Sequence, residues 1–196
     1  MSTPESTYPL DSHHGSRLLE LARSVLAYRL GVSSGVNRSD LDDGSFRQQC
    51  GAFVTLKCNG VLRGCIGNLE ADGSIVDAVE RNALNAAFND HRFQPLRAEE
   101  LDGITIDISI LSNPEVLDYS DSEDLISKLR PMVDGVILRH GKKGATFLPQ
   151  VWAQLPDPEQ FLEHLCRKAG LSPGMWQQEH LDIYIYQVQC FEEDKR

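Results

Sequence analysis

Ile104, Ile106, Ile108 and Ile110 recur at every second position. Side chains of an extended chain point to opposite faces in turn, so these four line one face of a strand. A strand of that kind has one face to bury, which suits an antiparallel sheet covered by helices on one side. A second alternating stretch agrees. Ala52–Lys57 and Val61–Ile66 flank Asn59-Gly60, a pair that tolerates the positive φ of a tight hairpin. The expected class is therefore α+β, with antiparallel sheets and flanking helices.

Helical patterns sit between these strands. Leu18, Leu21, Ala22, Val25 and Leu26 share a face of a helix over 16–30, with Gly31 suited to its C-terminal cap. Ser74, with Asp77 at the capping-box position, opens a helix running to about Asn89. The order then recurs: a short helix capped at Ser120 that stops before Pro131, strands over 135–139 and 145–148, a helix opening at Asp157-Pro158, and an alternating strand over 183–191. Each half reads helix, hairpin, helix, strand. Residues 1–14 read as a loose tail, and 15–196 as one domain of two sub-regions, about 15–113 and 114–196. Two such repeats would enclose a cleft, the default place for a site.

Composition excludes several classes. Hydrophobic residues make up 41% and charged residues 24% of the chain, values of a globular protein and not of a disordered one. The formal net charge of −10 argues against nucleic acid as a partner, since phosphate binding rests on clustered Lys and Arg. No apolar run approaches the ~20 residues that span a bilayer, and the first thirty residues lack a secretory pattern. No membrane association and a cytoplasmic location are expected. Cys50, Cys58, Cys65, Cys166 and Cys190 form an odd set without a CxxC pair, which reads as reduced thiols. The six histidines show no HExxH pattern, and neither GxGxxG nor GxxxxGK[ST] occurs. No metal site and no cofactor are expected.

Leu62-Arg63-Gly64-Cys65-Ile66-Gly67 is the segment that carries chemistry. Glycines on either side of a thiol let a backbone or ligand come close, and an arginine nearby favours the thiolate that attacks. The plain alternative is a small buried residue at a crowded strand end. With Gly51–Leu56, Ala78–Ala83, Asp90–Phe93, Val133–Gly135, Thr146–Trp152 and Leu165–Gly170, this segment resembles the AMME-syndrome candidate-region protein family, called AmmeMemoRadiSam system protein A in prokaryotes. The resemblance covers 16–192. It implies a two-part α+β fold with a cleft. It also implies a role beside a Memo-type protein and a radical S-adenosylmethionine protein.

The candidates follow from both sources. Cys65 is the candidate reacting thiol. Arg63, two positions away, would share its face on a regular strand and supply charge, unless it pairs with an acid such as Glu70. Gly64 and Gly67 would let a substrate approach. Asn82, a poor helix former inside an apolar helix, wants a hydrogen-bond reason and could touch ligand. Thr146–Gln150 holds in the second half the place of the motif in the first, so Phe147 and Gln150, with Trp152, could line a shared cleft. The family pattern has proline where His91 stands, which argues against His91 as a base. Asp90 and Arg92 match the pattern and could face the cleft or lock a turn. Cys166 reads as core. Two functions stay open: a cysteine-dependent enzyme or enzyme component, and a non-catalytic scaffold for the two partner proteins that takes a small molecule or peptide in the cleft. A metal-handling role, with Cys65 and His91 or His140 as ligands, ranks third.

Overall fold

The computed structural model describes residues 10–42 and 44–194. Contacts divide the chain into two compact units. One holds the residues up to Ser112 and from Gln189 onward, the other Asn113–Val188. Most of the tail expected over 1–14 lies outside the described residues, but its end is helical: α1 spans Ser12–Arg29. The Asp11 carboxylate accepts the His14 backbone N–H at 3.0 Å, and His14 Nδ1 accepts the Asp11 N–H at 3.2 Å. An imidazole thus completes a capping box that normally uses Glu or Gln, and the helix starts ahead of Ser16.

The strands are β1 (Gly51–Cys58), β2 (Val61–Asn68), β3 (Ile104–Leu111), β4 (Glu115–Val116), β5 (Gly135–His140), β6 (Lys143–Phe147), β7 (Asp182–Tyr186) and β8 (Val188–Glu192). They form two four-stranded antiparallel sheets, ordered β2-β1-β3-β8 and β4-β7-β5-β6. From the hairpin outward, the first three strands match: second hairpin strand, first hairpin strand, then a later strand; the fourth is the C-terminal β8 in the first sheet and β4, which precedes its hairpin, in the second. The repeated order expected from the sequence is therefore present in the topology. The single strand expected over 183–191 is two strands. It breaks at Gln187, with β7 in the second sheet and β8 in the first.

In the first unit, α1 and α2 (Ile75–Phe88) cover one face of the sheet. Ile104, Ile106, Ile108 and Ile110 are buried there, together with Ala52, Val54 and Leu56 from β1. They meet Leu18, Leu21 and Leu26 of α1 and Val79, Ala83 and Ala86 of α2. Full burial of an isoleucine is worth ~1.5–3 kcal/mol before entropy, so this one ladder supplies roughly 6–12 kcal/mol. The second unit adds α3 (Ser122–Lys128), α4 (Pro158–Lys168) and α5 (Met175–Gln178). Its core centres on Trp152 and Phe161, whose rings stack with centroids 3.7 Å apart. The Trp152 indole N–H donates to the Asp134 carbonyl at 2.7 Å. No helix among the described residues is long and apolar enough to cross a membrane.

Candidate functional site

One extra residue decides where Cys65 points. Near the Asn59-Gly60 turn, Cys58 faces Val61 and Lys57 faces Leu62. Continued without interruption, that register would set Cys65 opposite Val54, on the core face. The register instead shifts between Leu56 and Lys57, so Leu56 faces Gly64 and Thr55 faces Cys65. Arg63 is the unpaired residue of a bulge. A one-residue slip moves every later side chain to the other face of a strand. Cys65 therefore lies half-buried on the face that α1 and α2 leave uncovered, while Gly64 faces α2.

The sulfur of Cys65 accepts a hydrogen bond from the Thr55 hydroxyl at 3.2 Å. Its backbone is held as well. β2 is an edge strand, so its outward N–H and C=O groups have no neighbouring strand. The turn after α2 supplies the missing partners. Asp90 accepts the Cys65 N–H at 2.9 Å, and Arg92 donates to the Cys65 carbonyl at 3.3 Å. Asp90 and Arg92 also pair with each other at 2.7 Å. Asp90 is buried, and the guanidinium beside it holds its carboxyl well below the usual carboxylate range. This D-x-R turn takes the place of a fifth strand at one point of the sheet edge.

The bulge also separates Arg63 from Cys65. The Arg63 guanidinium donates twice to the Glu100 carboxylate, at 2.9 and 3.1 Å, and so lowers the Glu100 pKa. With Phe93, Gln94, Pro95 and Arg97, this pair lines a pocket of ≈ 630 Å³ whose walls do not include Cys65. Gly64 and Gly67 are both at points of close approach. A Cβ on Gly64 would sit 2.1 Å from the Ala86 carbonyl oxygen, and one on Gly67 would sit 2.3 Å from the Phe53 ring. Asn82 donates to the Ala52 carbonyl at 2.8 Å and to Asn68 Oδ1 at 3.0 Å, tying α2 to the start of β1 and the end of β2. His91 is exposed on the turn.

In the second unit, Phe147 meets Phe161 edge to face at 5.2 Å and lies under the Lys168 ammonium. Gln150 is exposed on the 3₁₀ turn Pro149–Ala153. Trp152 and Cys166 are core residues. Burial pushes the Cys50 thiol up to about 11 and raises Cys166 as well, so neither is a ready nucleophile. Among the described residues, no group of three or more His, Cys, Asp or Glu side chains is placed to hold a metal ion.

Sequence reasoning missed Thr55, Glu100 and Asp107. Thr55 and Asp107 face each other across β1 and β3, in line with Cys65 on β2. The alternation in Phe53-Val54-Thr55 marked Thr55 as turned away from the core. Its pairing with Cys65 needed the bulge. Glu100 lies far from Arg63 in sequence, and nothing in the spacing pairs the two.

Comparison with known proteins agrees with this architecture. A protein from Methanothermobacter thermautotrophicus is 38% identical over 187 residues, covering 95% of this chain and 97% of that one. A second relative, from Methanocaldococcus jannaschii, is 39% identical over 151 residues, 76% of this chain and 75% of its own. The crystal structure of an uncharacterised protein from Pyrococcus horikoshii superposes with a TM-score of 0.78 at 31% identity, covering 94% of both chains. The family model described as AMMECR1 matches residues 19–191. With that match spanning most of its length, the chain belongs to the AMMECR1 family.

Proposed function

We propose that the protein works through Cys65 as a nucleophilic or carrier thiol, as an enzyme or as the thiol-bearing component of one. One observation carries this reading: a half-buried sulfur accepts a hydroxyl hydrogen bond, while both backbone polar groups of the same residue are pinned by the Asp90–Arg92 pair. A donor to sulfur favours the thiolate, the form that attacks. A backbone fixed at two points keeps the sulfur from wandering, and orientation is a large part of what an enzyme supplies. Gly67, on the same face as Cys65, leaves its side-chain space to the Phe53 ring, while Gly64 lies on the opposite face against α2. In this reading the cytoplasmic Memo-type and radical S-adenosylmethionine proteins, which the family resemblance suggests, supply or consume what the thiol carries.

A second reading keeps the same partners and drops the chemistry. Arg63, the cation of the motif, is committed to Glu100 and not to the sulfur, which favours a motif that shapes a binding surface. One experiment separates the two. Native protein is treated with iodoacetamide, and the five thiols are quantified by peptide mass spectrometry against a urea-unfolded control. The enzyme reading expects Cys65 to react in the folded state while Cys50 and Cys166 stay protected. Cys65 reacting only together with Cys50 and Cys166 would overturn it. Partner capture that survives Cys65→Ser would then support the scaffold.

A further inference from the structure

We propose that the pocket beside Arg63 binds a small monocarboxylic acid, its carboxylate received by Arg63 and Arg97 and its apolar body laid against Phe93 and Pro95. The site stands apart from Cys65, which is not part of its wall, and holds whether or not that thiol reacts. Its volume of ≈ 630 Å³ falls within the range of about 300–1,000 Å³ typical of small-molecule sites. The whole lining belongs to the first unit. It comes from the bulged residue of β2, the segment after α2, and the start of the 3₁₀ helix Ala98–Gly103 that leads into β3.

The charges of the pocket do not balance. Glu100 carries one negative charge and faces two guanidinium groups. Arg63 takes both carboxylate oxygens, at 2.9 and 3.1 Å. Arg97 gives its backbone N–H to Oε2 at 2.9 Å, while its guanidinium stands 3.7 Å from the same atom, beyond hydrogen-bond distance. The Arg97 side chain is 78% exposed, so this second cation sits at the rim. Arg92, 5.5 Å over the Phe93 ring, is matched by Asp90. One positive charge is left over, in a chain whose formal net charge is −10. The Arg63 guanidinium holds the Glu100 carboxyl below its usual range, so Glu100 stays ionised at neutral pH and repels a second negative charge. One carboxylate matches the surplus, whereas a phosphate near its dianionic form exceeds it.

Donors for that carboxylate are already in place. Among the described residues nothing accepts from Arg63 Nη1, and that atom is not buried. The Glu100 contact fixes the guanidinium plane, so Nη1 can donate without the ordering cost of a loose side chain. Arg97 adds a second planar fork, the shape that receives a carboxylate at both oxygens. The apolar wall is fixed as well. The Phe93 N–H donates to the Asp90 carbonyl at 3.0 Å and the Leu96 N–H to the Ala87 carbonyl at 2.8 Å, with Pro95 and its locked φ between them. The Phe93 ring is half-buried and Pro95 is exposed, which leaves apolar surface for a ligand body.

The test is a titration of the full, isotope-labelled chain with phenylpropionate, hexanoate and indoleacetate, followed by backbone amide shifts. At least one acid is expected to saturate, with the largest shifts at Arg63 and over 93–100. Phenylpropionamide, which lacks the charge, and phenyl phosphate, which carries too much, are each expected to bind about tenfold more weakly than phenylpropionate. Arg97→Ala removes an exposed side chain, so the melting temperature stays as in wild type while acid binding weakens by about tenfold. Glu100→Gln raises the surplus to two charges, and phenyl phosphate then gains about tenfold on phenylpropionate. The site is overturned if none of the acids saturates by about 10 mM, a limit that only very weak binding exceeds. It is also overturned if the shifts lie outside those segments, or if folded Arg97→Ala binds as wild type does. An amide that binds as well as its acid overturns the recognition of charge. Phenyl phosphate that outbinds phenylpropionate in wild-type protein overturns the choice of a monocarboxylate. None of these outcomes depends on how Cys65 reacts with iodoacetamide, so failure of this site and failure of the thiol reading are separately visible.

Discussion

Gly64→Ala tests the geometry on which the candidate site depends. A Cβ at position 64 would lie 2.1 Å from the Ala86 carbonyl oxygen and 3.1 Å from its carbon. An ordinary contact between carbon and oxygen is about 3.3 Å or more, so β2 or α2 must move by about 1 Å. The obstacle is helix backbone, and no side-chain rotation clears it. Overpacking typically costs ~1–3 kcal/mol, and a clash with backbone on both sides belongs at the upper end. For a chain of 196 residues each kcal/mol shifts the melting temperature by roughly 2–4 °C, so Gly64→Ala is expected to lower it by about 6–12 °C. Circular dichroism melts, with urea midpoints as a second probe, would measure this. Because the clash is with a carbonyl, Ala86→Gly offers no rescue and adds a helix penalty of about 0.5–1 kcal/mol. A melting temperature within about 2 °C of wild type, or rescue by Ala86→Gly, would refute the argument that β2 is seated against the α2 backbone.

Two further predictions concern what surrounds that strand. The Arg92 guanidinium depresses the Asp90 carboxyl, so its stabilisation is complete above the unfolded carboxyl value of about 3.9 and fades as pH falls through the lower folded value. Asp90→Ala should therefore lower the melting temperature more at pH 7 than at pH 2.5, where part of the stabilisation has already faded; an equal loss at both would contradict the charge argument. Glu193 receives Arg23 and the Ile106 N–H in a mostly buried setting; Glu193→Ala leaves the Ile106 N–H without its acceptor and the guanidinium with only the Leu101 and Ile104 carbonyls, its charge uncompensated. Breaking such a pair costs ~3–5 kcal/mol, to be read from urea unfolding. A loss under about 1 kcal/mol would show the pair to behave as an exposed one.

Local rules determined much of this protein from its sequence. The Ile104–Ile110 alternation, the Asn59-Gly60 turn and the Ser74/Asp77 capping box each act within a few residues, so β3, the hairpin and α2 are legible in the sequence alone. The repeated element order is legible for the same reason. Three matters are decided only in the folded chain. The alternation through Tyr186 and Val188 satisfies a strand in either sheet, and only tertiary pairing divides it between two. Arg63 lies two residues from Cys65, yet bulge formation and the distant Glu100 draw its side chain elsewhere. The bulge itself sets which face Cys65 occupies. Hairpin sequence fixes the register near the turn, but where the strand slips depends on how Gly64 fits beneath α2, a contact between residues far apart in sequence. Cys65 is readable from the sequence as the candidate thiol; its placement opposite Thr55 is a product of register, which long-range packing determines.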